Sequence, residues 1–186
     1  MTPIADRPRT SRRRTRVAEP TPLPSDPIAE AHRLWQEHGW ADAADGMAAV
    51  TAIMRTQQIL MARIEATLKP FDLSFARFEL LRLLSFTRHG SLPMAFASAR
   101  LQVHPTSVTN AVDRLEAAEF VKRVPHPTDG RATLIEITQA GRERVDAATA
   151  ELNSAVFTRP GFSRDDATQL NELLRGFRRD AGDFAE

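Results

Sequence analysis

The sequence predicts a mainly α-helical fold with one small β-hairpin, and three observations carry that reading. Apolar residues recur at helical spacing through seven segments between residues 28 and 184. Two short runs rich in Val, Ile and Phe, 120–124 and 133–137, bracket a loop containing Pro and Asp-Gly. Just before them, two short helical stretches are joined by only three residues, Gln102-Val103-His104. A chain of 186 residues with 42% hydrophobic side chains can bury a real core. No apolar run approaches the ~18–20 residues of a membrane helix, so no membrane association is expected. No secretory apolar stretch follows Arg12-Arg13-Arg14, and the expected location is cytoplasmic. A sequence without cysteine excludes disulfides, thiolate zinc sites, iron–sulfur clusters and thiol redox switches.

Each element follows in order. Residues 1–27 hold six of the twelve prolines and six arginines against three acids, a local charge of +3 that leaves 28–186 at −2. So few apolar residues cannot offset the entropy of ordering, which predicts a disordered basic Pro/Arg-rich tail. It is either a solubilising segment or an arm that reaches phosphates. Ile28, Ala31, Leu34 and Trp35 then mark one face of a short helix stopped by Gly39. A longer helix runs from about Asp45 to Lys69. Its seam of Met47, Val50, Met54, Met61, Ile64 and Leu68 is interrupted only at Gln57. At roughly 35 Å it exceeds what a small core needs, which favours sharing it with a subunit interface.

Pro70 ends that helix and Ser74 can cap the next. There Phe75, Phe78, Leu80, Leu81, Leu83, Leu84 and Phe86 cover nearly the whole circumference, the pattern of a central buried helix, closed by His89-Gly90. Leu92 to Leu101 and Pro105 to Ala118 are the two short helices of a helix-turn-helix. Pro105 suits a first helical position because its missing N–H would be unpaired there, and Val108, Val112 and Leu115 make the buried stripe. The β-hairpin projects as a wing. Thr138 caps a helix from Gln139 to about Phe157, and Pro160-Gly161 breaks it. Ser163 caps the last helix, striped by Leu170, Leu173, Leu174, Phe177, Ala181 and Phe184. The expected organisation is a tail at 1–27, N-terminal dimerisation helices at 28–69, a winged helix-turn-helix lobe at 70–138, and C-terminal dimerisation helices at 139–186.

With the valine stripe inward, Thr106, Ser107, Asn110 and Arg114, joined by Thr109, make up a polar face. These types suit the major groove of DNA: Asn pairs bidentately with adenine, Arg with guanine or phosphate, and hydroxyls with either bases or phosphates. The alternative is a solvated face on a surface helix. Arg131 in the wing suits the narrow, negative minor groove, and Asp129 is placed to hold it extended. The alternative there is a surface ion pair worth ~0–1 kcal/mol. Lys122 and Arg123 either reach phosphates or solvate a strand.

Three stretches carry a resemblance: Pro105-Thr106-Ser107-Val108-Thr109, Val112-Asp113-Arg114-Leu115-Glu116, and Asp129-Gly130-Arg131 with Leu134 to Gly141. The chain resembles the MarR family of bacterial winged-helix regulators over roughly residues 45–180. The resemblance implies an obligate homodimer whose recognition helices enter successive major grooves of a pseudo-palindromic operator. The implied function is a sequence-specific transcriptional regulator, a repressor released by a small anionic or aromatic effector, with no cofactor or metal. Three positions depart from the family pattern. Gln102 stands where the turn often has Gly, His104 where the N-cap is often Ser, and Glu119 where Gly usually ends the recognition helix. A left-handed Glu119 would cost ~1 kcal/mol.

The extra N-terminal helix bearing Trp35 resembles the urate-responsive subgroup, in which a Trp and an Asp line the pocket. Here Glu79 replaces that Asp. The effector site so implied is Trp35, Glu79, Arg77 and Arg82. The alternative is an ordinary core Trp and exposed arginines. An enzyme is not expected: there is no phosphate-cradling Gly-rich loop, nucleophile elbow or His-x-x-x-His. The competing reading is an architectural or protein-interaction winged helix that ignores sequence and ligand.

Overall fold

The computed structural model describes residues 22–129 and 132–185. Most of the expected tail, and Arg131 with Gly130, lie outside the described residues. Two compact units divide between Met54 and Arg55. Among the described residues no helix is long and apolar enough to cross a membrane.

The first unit begins with α1, Pro27–Glu37. Asp26 caps it by accepting from the Ile28 amide at 2.9 Å, and Pro27 takes the first turn. The helix and its cap therefore claim two residues, Pro27 and Asp26, that composition assigns to the tail. Gly39, at φ +85°, turns the chain into α2, Ala41–Leu68. This helix starts four residues ahead of Asp45, with the Ala43 amide donating to the Trp40 carbonyl at 3.0 Å. Trp35 packs edge-to-face on Trp40 at 5.3 Å, and His38 stacks on Trp40 at 5.8 Å. His32 bonds Asp45 at 2.7 Å. On the first half of α2, Val50, Ile53 and Met54 are each more than half exposed.

In the second unit the same seam turns inward: Ile64 and Leu68 are buried, and Met61 packs against the core. A 3-10 turn at Lys69–Phe71 contains Pro70 and ends α2 as expected. Next comes α3, Phe75–Phe86, whose N-cap Ser74 accepts from the Arg77 amide. Phe78, Leu80, Leu81 and Leu84 are buried, but Phe86 is 78% exposed beneath the Arg82 guanidinium. The helix is thus not buried all round. It also stops at Phe86, short of His89, because the Thr87 hydroxyl donates to the Leu84 carbonyl at 2.7 Å and closes the last turn.

The helix expected at 92–101 loses its first two residues to a strand. β1, Ser91–Pro93, pairs antiparallel with β3, Thr133–Ile137, placing Leu92 opposite Ile135. Pro93 sits at the strand's end, where its missing N–H costs no ladder bond, and precedes α4, Met94–Leu101. α5, Pro105–Ala117, and β2, Val121–Pro125, follow. The three-stranded antiparallel sheet has the order β1-β3-β2. β2 begins one residue later than expected because Phe120 serves the turn out of α5, its amide donating to the Leu115 carbonyl at 2.9 Å.

α6, Gln139–Leu152, continues through a π-helical turn, Asn153–Phe157, so helical backbone reaches the expected Phe157. Its Thr138 cap works in both directions: the hydroxyl accepts from the Gly141 amide at 3.0 Å and donates to the Glu119 carbonyl at 2.8 Å. A Cβ on Gly141 would lie 2.1 Å from the Phe120 carbonyl oxygen, so the helix start can approach the end of α5 only with glycine there. α7, Arg164–Asp180, opens with a capping box between Ser163 and Asp166. No residue of α7 is buried, and Leu173 and Phe177 are 73% and 72% exposed. Ala181 and Phe184 lie beyond it, in the turn that follows.

Candidate nucleic-acid interface

The geometry of α5 starts from its inner face. Val108, Val112 and Leu115 are at most 2% exposed and join one core with α3, α4, the sheet and α6. Burying three such side chains contributes about 1.5–3 kcal/mol each, which fixes the rotation of the helix. The opposite face is then solvent-facing by geometry: Thr106, Ser107, Thr109, Asn110 and Arg114 are all exposed. The side chains of Ser107, Asn110 and Arg114 make no hydrogen bond or ion pair among the described residues, which leaves their donors and acceptors to a partner. Thr106 and Thr109 are partly engaged, their hydroxyls bonding the His104 ring and the Pro105 carbonyl at 3.1 Å each.

The three departures from the family pattern are accommodated rather than avoided. His104 caps α5 with its ring, Nδ1 accepting from the Thr106 amide at 3.2 Å. Gln102 and Glu119 both take the left-handed backbone that favours glycine, at φ +54° and +59°.

In the wing, His126 Nδ1 accepts from the amides of Thr128 and Asp129 at 3.3 and 3.2 Å. The Ala132 amide closes onto the Asp129 carbonyl at 3.0 Å. Asp129 is exposed at this tip. Its expected pairing with Arg131 lies outside the described residues.

Arg123 is placed differently from its expected phosphate contact. From β2 its guanidinium reaches the Asp113 carboxylate at 2.5 Å and the Glu116 carboxylate, while the Arg123 amide donates to Glu116 at 2.9 Å. The hydrogen bond it donates to Asp113 raises its pKa, partial burial opposes this, and Glu116 adds to the rise, so the group is held firmly cationic. Spacing alone missed this clamp, because two acids one turn apart on α5 meet Arg123 only once the strand register is set. Lys122 pairs with Glu136 across the sheet at 2.8 Å.

The expected effector residues of the second unit, Arg77, Glu79 and Arg82, all lie on α3 and have different surroundings. Arg82 ties α3 to α6, donating to the Val145 carbonyl at 2.8 Å, Asp146 at 3.0 Å and Thr149. Its donors are thereby committed to the fold. Arg77 instead lines two open cavities. One, of about 440 Å³, is shared with Glu65, Lys69 and Asp72. The other, of about 540 Å³, is shared with Asp72, Arg114 and the end of α5. Glu79 is half-buried, and burial raises its pKa. Trp35 belongs to the other unit, half-buried against Trp40.

This arrangement agrees with what the chain resembles. The MarR family pattern matches residues 73–133, the stretch from the start of α3 into β3. A MarR family transcriptional regulator from Streptomyces coelicolor, Sco5413, superposes with a TM-score of 0.70 at 46% identity, covering 76% of this chain and 99% of that one. A second S. coelicolor MarR regulator, Sco3205, was solved in complex with DNA. It shares the fold with a TM-score of 0.63 at 20% identity, over 71% of this chain and 85% of its own. An HTH-type transcriptional regulator of Mycobacterium leprae is 34% identical over 97 residues, 52% of this chain. The match spans 64% of that relative's length. The chain belongs to the MarR family of transcriptional regulators.

Proposed function

We propose that this chain is a sequence-specific DNA-binding regulator, working in the cytoplasm as a homodimer that represses by occupying a pseudo-palindromic operator. The observation that carries the reading is the polar strip of Ser107, Asn110 and Arg114, exposed and uncommitted opposite a fully buried valine stripe. Asn110 reads an adenine edge, Arg114 a guanine or phosphate, and Thr106, Ser107 and Thr109 the adjoining bases and backbone at the positive end of the helix. Asp129 and Arg131 carry the wing to the minor groove. Arg123 acts from behind, holding α5 to the hairpin so that both readers move as one body. The DNA complex of Sco3205 supports this use of the fold.

The subunits pair through the terminal helices, 28–69 and 139–186. The exposed apolar rows on α2 and α7 support that assignment. A small anionic effector enters the cavity between Arg77 and Arg114. It competes there for an arginine of the reading strip, which is how its binding releases DNA.

Selection of bound fragments from random DNA tests the reading, with specific and random affinities compared at one salt concentration. Asn110→Ala is expected to relax choice at one base position by ~1–3 kcal/mol. Equal weakening on every sequence would show that Asn110 touches only backbone. Equal affinity of the unaltered protein for all DNA would favour the architectural reading instead.

A further inference from the structure

Gln102 occupies the turn between α4 and α5 in a left-handed backbone that glycine adopts freely and other residues resist. Its side chain does something a glycine could not. The Nε2 amide donates to the Asp183 carboxylate at 2.7 Å and to the Asp183 carbonyl at 3.2 Å, across 81 residues of sequence. Asp183 is itself held. Its other carboxylate oxygen accepts from Arg178 Nε at 2.5 Å, and its amide donates to the Arg178 carbonyl at 2.9 Å. The Arg178 guanidinium lies over the Phe184 ring at 5.4 Å. The turn on the near side is equally tied, with the Ser98 hydroxyl donating to the Val103 carbonyl at 2.7 Å. The end of α7 and the pivot of the helix-turn-helix are thus joined by one side chain.

We infer that Gln102 and Asp183 form a latch that sets the position of the recognition helix relative to α7, making Gln102 a positioning residue for operator spacing. The inference rests on the DNA-reading proposal and on α7 as part of the dimer contact. If α7 is the surface on which two copies meet, a tie from α7 to the turn before α5 fixes how far apart two recognition helices stand. That distance selects the half-site separation. Neither residue contacts bases in this scheme. They act through the placement of α5.

The test uses the full-length chain and the DNA fragment recovered by selection, together with versions in which one base pair is added or removed between half-sites. The unaltered protein is expected to lose about tenfold or more in affinity when spacing changes. Asp183→Ala and Gln102→Gly are expected to bind all three spacings within about threefold of one another. Gln102→Gly also relieves the left-handed backbone, so loss of discrimination in that variant cannot be assigned to misfolding. Hydrogen exchange at the amides of residues 102–104, measured without DNA, is expected to quicken in Asp183→Ala.

An unchanged spacing preference in Asp183→Ala overturns the positioning role, whatever exchange does. Unchanged exchange overturns the latch. Absence of any selected operator would overturn the DNA-reading proposal and the positioning role with it, whereas exchange at the turn reads the tie itself.

Discussion

The winged lobe and the helices that flank it solve the same problem of apolar surface in opposite ways. In the lobe, α3, α5, the sheet and α6 close on one another until Leu80, Leu81, Val112, Leu115 and Ile135 are fully buried. On the first half of α2 and on α7, side chains of the same kind stay out: Val50, Met54, Leu173 and Phe177 are 59–73% exposed. One helix contains both outcomes, since the seam of α2 is exposed at Met54 and buried at Ile64. The difference teaches that the lobe's stability belongs to the single chain, whereas rows of exposed Leu, Met and Phe are stabilised only when another apolar surface covers them. A reader of DNA needs the first kind of region to be rigid. The dimer proposed above needs the second kind to be available.

The contrast can be broken most visibly on α7. Leu173→Glu combined with Phe177→Glu is expected to leave the lobe folded, by circular dichroism, while sedimentation shows loss of dimer. Operator affinity should then fall by about 10²–10⁴-fold, as two linked half-site contacts become independent. A dimer that survives both changes would place the subunit contact elsewhere. Within the lobe, Leu115→Ala is expected to cost about 2–5 kcal/mol in chemical denaturation, because its fully buried site cannot refill. That loss should not depend on protein concentration.

Smaller changes sharpen the same picture. Glu119→Gly should stabilise the lobe by about 1 kcal/mol, since it removes a left-handed non-glycine backbone at the end of α5. Glu79 supplies the smallest effect, and it depends on pH. Burial raises its pKa, so the folded state holds the proton more tightly than the unfolded chain does. Its contribution to stability is fully present below the ordinary glutamate range and is lost as pH rises through the raised value. Glu79→Gln should therefore melt higher than the unaltered protein at neutral pH, with the gap closing on acidification. A constant gap across that range would assign the effect to packing rather than to charge.

The parts legible in the sequence were those whose cause is local. The inward Val108, Val112 and Leu115 follow from helical period. The caps Ser74, Thr138 and Ser163 follow from side chains that bond an amide two or three residues on. The exposed polar strip of α5 was legible for the same reason, being whatever the buried stripe leaves outside. β1 was not legible, because a three-residue strand exists only through pairing with β3 some 40 residues later. Nor was the commitment of Arg82 to α6, or of Arg123 to Asp113 and Glu116, because both depend on which elements pack together.

By itself, then, the amino-acid order determined the helices, their caps, the wing and which face of α5 meets solvent, since backbone periodicity and short-range hydrogen bonds act over a few residues. Only the tertiary structure decided which charged side chains are already spent inside the chain and which remain for a partner. It alone joined Gln102 to Asp183. Such choices depend on strand register and on where helices cross, and those are settled by packing the whole core at once.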